Sequence, residues 1–353
     1  RWFIKKYNCE IELYTRSLNF QGQSYTQNES LFEGKLKIIR CGITSAYEIQ
    51  IGRISWVFSV TAKNLFKKIN LIHGHANLGG LPTKILSILK RIPSIFTVQG
   101  SGLLVWDQLK PGVIGKFNRQ VEKTLQTRIK YSKEISVDSL FASFPNVNKN
   151  IKVIPNGVDI KKFDNISSEK ETKFLKGLFV GRLHPQKGLT YLLEALKLIK
   201  DKINMEIHII GSGELDSELK EKVKSYNLEN IVIFRGKKFD DELIKEYKSS
   251  HFFILPSVFE GQPLTILEAW ASSLPTLVTD CGENKKFINE DENGWIVPIK
   301  DSQALADKIV LVNNTSNEKL IEMGKIAYGN VKQYDWENIT DRTYEVYQEV
   351  LKQ

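Results

Sequence analysis

Short runs rich in Val, Ile and Phe alternate with amphipathic stretches along the whole chain, and this alternation limits the fold more than any other feature. Toward the start, EIELYT (10–15), LKIIRC (36–41), INLIH (69–73), SIFTV (94–98), EISV (134–137) and IKVIP (151–155) predict strands. Stretches 49–68, 80–90 and 113–130 predict helices between them. Further on, KGLFVG (176–181), MEIHIIG (205–211), IVIFRG (231–236), HFFILP (251–256), PTLVT (275–279) and GWIVP (294–298) predict strands. The helices there fall near 187–200, 214–226, 240–249, 263–272, 301–312, 316–328 and 336–352. Strand–helix repetition implies parallel sheets with helices on both faces. A chain of 353 residues exceeds what one core usually serves, so two Rossmann-like domains are expected. The first spans 1–159 and the second 160–335, linked through the polar stretch 160–173; the last helix, 336–353, returns to the first.

Hydrophobic content of 41% and charged content of 26% suit a soluble α/β protein. Cys9, Cys41 and Cys281 are far apart and odd in number, which fits a reducing, cytoplasmic setting rather than a disulfide framework. No apolar run reaches the ~18 residues of a membrane helix. The charge is uneven. Residues 1–150 hold 22 Lys and Arg against 9 Asp and Glu, a balance of +13, while 151–353 balance at −4. Such asymmetry points to an anionic partner, an anionic membrane surface or nucleic acid, or to a solvated basic face. No nucleic-acid recognition motif accompanies it, so no nucleic-acid partner is expected. In residues 115–133, Phe117, Val121, Leu125 and Ile129 form an apolar stripe with Lys116, Lys123 and Lys130 beside it. The stripe is expected to pack on a sheet and the cations to favour reversible binding at the cytoplasmic membrane face.

The segment FEGQPLTILEAW, 259–270, carries two glutamates in an otherwise apolar stretch. Pro263 suits the start of a helix, and the amides of Leu264 and Thr265 then lack partners within it. They follow a strand, where α/β folds bind ligands, and free amides with a helix dipole favour phosphate. Glu268 shares a face with apolar neighbours, so a ligand hydroxyl would offset the cost of a lone buried carboxylate. Glu260 precedes the helix and points to the same place. The plain structural reading is one exposed acid and one loop acid. A second segment, FVGRLHPQKG (179–188), places Gly181, Arg182 and Lys187 between a strand and a helix. Arg182 offers a fork for phosphate and Lys187 a compact charge against the helix dipole. The plain reading is two surface cations. Gly211 and Gly213 in IIGSGEL allow close backbone approach to a ligand, or simply make a turn.

Taken in order, GRLHPQKG, GSGEL, FRG, FEGQPLTILEA and NGWIVP resemble glycosyltransferase family 4, retaining enzymes of the GT-B fold, as do VIPNGVD (153–159) and the closing helix. The resemblance implies two Rossmann-like domains with parallel sheets facing across a cleft that close on the donor. It implies a nucleotide-sugar donor as substrate, no cofactor, no metal, and a glycan or lipid-linked glycan acceptor. By position, Arg182 and Lys187 match the basic pair on the donor diphosphate, Glu268 the ribose ligand, and Glu260 the residue beside the transferred sugar. Leu264 and Thr265 match amides at phosphate and sugar, and Arg235 with Gly236 the turn flanking the base. Gly181 and Gly211 line the same site, and His75 and Gln99 the acceptor side. The family usually has histidine where this chain has Gln99; glutamine bonds a hydroxyl but does not titrate, so no acid–base role is expected there. No Asp-x-Asp motif occurs, and EDE (290–292) reads as a turn. The opening at Arg1 resembles the end of a helix, so the family's first strand and glycine-rich loop are expected to be missing. The competing expectation is a non-catalytic GT-B protein that docks on membranes or partners.

Overall fold

The computed structural model describes residues 2–16, 27–42, 49–99, 112–143, 148–168 and 174–352. For 49–53, 77, 78, 113–115, 117, 118, 121 and 125 only the backbone is described, so the stripe of Phe117, Val121 and Leu125 lies outside the described side chains. Two compact units emerge, Arg1–Pro155 with Glu337–Gln353, and Asn156–Trp336.

In the first unit, β4 (Ile72–His75), β5 (Ser94–Val98), β6 (Lys133–Ser136) and β7 (Ile151–Val153) form a parallel sheet in that order. A separate sheet has the order β1-β3-β2, from β1 (Ile11–Arg16), β2 (Glu29–Leu31) and β3 (Leu36–Cys41). One short strand departs from the parallel arrangement: β2 runs antiparallel to β3. Only residues 32–35 join them, too few for a crossover, so a hairpin is the one way back. Phe32, Glu33 and Gly34 take positive φ there, and Lys35 N–H donates to the Phe32 carbonyl at 3.1 Å. The closing helix, Trp336–Leu351, lays Ile339, Val346 and Val350 against Ile95, Ile135 and Ile154 of this unit. Arg342 donates to the Val153 carbonyl at 2.9 Å and ties that helix to β7.

Glu134 on β6 is fully buried, and among the described residues neither carboxylate oxygen has a partner within hydrogen-bond distance. Burial raises its pKa to about 7, with Asn148 opposing. Between about pH 4.5 and 7 the native state therefore holds a proton that the unfolded chain has released, so stability falls as pH rises through this window. The full effect is about 3 kcal/mol. Glu134→Gln should remove this slope, as urea melts between pH 5 and 8 will report; an unchanged slope would exclude Glu134 as its source.

The second unit holds one parallel sheet of β8 (Leu175–Val180), β9 (Met205–Ile210), β10 (Val232–Gly236), β11 (Phe252–Leu255), β12 (Thr276–Thr279) and β13 (Gly294–Val297). Its order is β10-β9-β8-β11-β12-β13. The central strands are mostly apolar because both faces are covered: Leu178, Phe179, Ile207, Phe252, Phe253 and Leu277 are all at 0% exposure. Residues 160–164, read above as the start of a polar link, are instead the helix Ile160–Asp164, with Ile160 and Phe163 buried. The three polar side chains of that segment hid a short amphipathic turn, and Asp159 caps it by accepting from Lys162 N–H at 3.3 Å.

Candidate active site

The sheet order places the site. β8 has β9 on one side and β11 on the other, so the chain leaves the first strand in opposite directions. At such a switch point the loops beyond the carboxyl ends part and leave a crevice. Residues 181–188 follow β8, Gly211–Gly213 follow β9, Gly236 ends β10, and 256–263 follow β11. The loops are stitched together. Val258 N–H donates to the Gln186 carbonyl at 2.8 Å, and the Gln186 side-chain amide donates to the Phe259 carbonyl at 2.9 Å.

Glycines make this closeness possible. Gly188 has φ +66°, and a Cβ there would lie 1.9 Å from the Pro256 carbonyl oxygen. A Cβ on Gly211, φ +143°, would meet the Gly181 oxygen at 1.9 Å. Chain-to-chain packing thus already demands glycine at 211, and approach to a ligand is not needed to explain it. Gly236, φ +68°, has open space around it.

Lys187 does not begin the long helix. It ends a one-turn 3-10 segment, Pro185–Lys187, ahead of Leu189–Ile199. Its Nζ lies 2.6 Å from Glu260 Oε1, which also accepts from Ser257 Oγ at 2.6 Å. The anion that Lys187 calls for is therefore supplied in part by Glu260, whose buried carboxylate is held by two donors. Arg182 is exposed, and no described residue bonds its guanidinium. Arg235 Nε lies 3.4 Å from Glu246 Oε1, and Lys176 Nζ lies 3.0 Å from Glu246 Oε2. The pKa of Glu246 falls to about 2, through His208 first and then Lys176 and Arg235, against the opposing effect of burial.

The helix Leu264–Ala271 starts one residue later than expected, with Pro263 as its extended cap, and buries Ile266, Leu267 and Trp270. Leu264 is exposed, while Thr265 Oγ1 is buried without a partner among the described residues, an unusual cost for a hydroxyl in the first turn. Glu268 is not the lone carboxylate its apolar neighbours suggested. Tyr247, fully buried, donates its hydroxyl to Glu268 Oε2 at 2.8 Å. Burial raises the Glu268 pKa, and Tyr247 and Lys162 oppose that rise. Sequence reasoning missed Tyr247 and Ser257. No local spacing marks Tyr247, which stands on the preceding helix; Ser257 is at least flagged by its place directly after the β11 end.

In the first unit, His75 ends β4 and Gln99 follows β5. Gln99 Nε2 lies 3.3 Å from His75 Nδ1. His73, whose ring centroid is 4.1 Å from that of His75, bonds Tyr347 OH at 2.7 Å and Thr97 Oγ1 at 2.6 Å. Burial, then the neighbouring His75, holds the His73 pKa well below its usual value, and both of its ring nitrogens are bonded within this unit. Among the described residues no three His, Cys, Asp or Glu side chains gather to hold a metal ion.

Residues 159–329 match the family model for glycosyl transferases group 1. This part of the chain is similar to glycosyltransferase domains. An uncharacterized glycosyltransferase of Methanocaldococcus jannaschii is 33% identical over 210 residues, 56% of this chain and 53% of that protein. An Escherichia coli UDP-Gal:alpha-D-GlcNAc-diphosphoundecaprenol alpha-1,3-galactosyltransferase is 29% identical over 270 residues, 70% of this chain and 67% of its own. The chain thus spans about half the length of one relative and two thirds of the other. Solved structures share the fold. Sucrose-phosphate synthase of Thermosynechococcus elongatus superposes with a TM-score of 0.79 at 21% identity, over 97% of this chain and 89% of that one. Anabaena HepE in complex with UDP-glucose does so at 0.70 and 21%, over 84% and 82%. The chain has the two-Rossmann-like GT-B fold.

Proposed function

We propose that this chain is a retaining, metal-independent glycosyltransferase of family 4 type, moving a hexose from a nucleotide-sugar to a hydroxyl of a glycan or lipid-linked glycan. The observation that carries the reading is the meeting of Arg182, Lys187 and the open first turn of Leu264–Ala271 at one switch point. As the glycosidic bond breaks, charge grows on the leaving diphosphate. Arg182, Lys187 and the Leu264 and Thr265 amides stabilise it where a divalent ion would otherwise serve, a preorganised role. The phosphate takes the acceptor proton, Glu260 positions the sugar, and Glu268 holds the ribose. A uridine nucleotide is the first donor to test, since the galactosyltransferase relative is named for UDP-Gal and HepE was solved with UDP-glucose.

Location at an anionic membrane belongs to the same proposal. The first unit exposes Phe58 at 72% and Phe66 at 93%, with Lys63 and Lys68 close in sequence, beside its surplus of positive charge. A panel of nucleotide-sugars should raise the melting temperature for one donor, by about 2.7 kcal/mol of stability at a hundredfold excess over Kd. That donor should then release nucleoside diphosphate faster when acceptor is present. Stabilisation with no release under any acceptor would favour the non-catalytic docking reading. Sedimentation with anionic but not neutral vesicles, fading with salt, tests the membrane part.

A further inference from the structure

We propose that Tyr247 is the positioning residue for Glu268: its hydroxyl occupies one carboxylate oxygen and commits the other to a ligand hydroxyl. The inference rests on the reading that Glu268 binds the donor. Tyr247 lies on the helix Asp240–Lys248, which precedes β11, whereas Glu268 lies on the helix that follows β11. The bond between them bridges the two helices over the strand whose end carries the site. The phenol is clamped. Its ring is T-shaped to Phe163 at 6.2 Å and tilted to Phe253 at 5.8 Å, and the residue has no exposed surface. A donor this rigid holds Oε2 in one place, which fixes the plane of the carboxylate.

Oε1 has no partner among the described residues. A half-buried carboxylate with one oxygen pinned from the protein interior and the other open is suited to accept from one hydroxyl of a diol. Among the described residues, one hydrogen-bond donor and one cation act on it. Tyr247 faces it from one helix, and Lys162, itself 2.8 Å from Asp240 Oδ1, from the helix Ile160–Asp164. Both favour the ionised form, and burial opposes it. Removing the Tyr247 hydroxyl therefore does two things. It frees the carboxylate to rotate, and it moves the Glu268 pKa further up, so that the acceptor form is lost at a higher pH.

The test uses the full chain and whichever of UDP, GDP and ADP binds it tightest. Dissociation constants are measured from pH 5 to 9 for wild type, Tyr247→Phe, Glu268→Ala and the double variant, with melting temperatures alongside. Tyr247→Phe keeps the ring and its packing. It should weaken binding about tenfold at pH 7, the scale of a hydrogen bond to a charged group. The midpoint below which affinity falls should rise, and the donor KM should increase with kcat nearly unchanged. In the Glu268→Ala background, Tyr247→Phe should change nothing further. Wild-type affinity with the same midpoint in Tyr247→Phe would overturn the proposal. So would an equal loss with and without Glu268, since Tyr247 would then act only through general packing. If Glu268→Ala itself bound like wild type, or no nucleotide bound, the donor-site reading would be the one to fail.

Discussion

Lys187→Ala is expected to lower turnover by about 10²-fold or more and to destabilise the protein, whereas Arg182→Ala lowers turnover to a similar degree at an unchanged melting temperature. Both cations are assigned to the leaving diphosphate, but their surroundings differ. Lys187 Nζ sits 2.6 Å from Glu260 Oε1, with side chains 16% and 7% exposed. Removing it leaves the Glu260 carboxylate, among the described residues, with the Ser257 hydroxyl as its side-chain donor. An uncompensated buried charge of this kind costs about 3 kcal/mol. Arg182 is exposed and bonds no described residue, so its loss leaves no buried group unpaired. Adding Glu260→Gln to Lys187→Ala should recover stability and none of the turnover. Initial rates of diphosphate release and urea melts on the four proteins separate the two effects. A fully active Arg182→Ala would remove the phosphate assignment, and an unchanged melt for Lys187→Ala would remove the ion pair's structural role.

Gly188→Ala should cost about 3–5 kcal/mol, enough to leave little folded protein. Two penalties coincide there. The φ of +66° strains any L side chain, by about 1–3 kcal/mol. The added Cβ would also stand 1.9 Å from the Pro256 carbonyl oxygen, and backbone on both sides leaves no flexible group to yield. Gly236 supplies the control. Its φ is +68°, yet nothing lies within 4 Å of a Cβ. Gly236→Ala should therefore show the strain alone, about 1–2 kcal/mol. Equal losses at the two positions would mean that the contact between the β8 and β11 loops is not what requires glycine at 188.

Much of this molecule was legible because its signals are local. Apolar runs of four to seven residues overlapped every described strand except β2, and Pro263 marked the start of the helix Leu264–Ala271 to within one residue. Period and capping are properties of neighbouring residues, so a sequence carries them openly. β2 escaped because Glu29–Leu31 has three residues and no apolar run; its pairing exists only once the 32–35 turn folds it onto β3. The helix Ile160–Asp164 escaped because its two buried residues are outnumbered by charged ones. What the tertiary structure alone decided is of another kind. The order β10-β9-β8-β11-β12-β13 brings loops some 70 residues apart to one crevice, pairing Lys187 with Glu260 across a separation of 73. The partner of Glu268 was decided the same way: Tyr247 reaches it from a different helix, on the far side of β11 in the chain. Which strand neighbours which depends on long-range packing and crossover geometry, and no spacing along the chain records it.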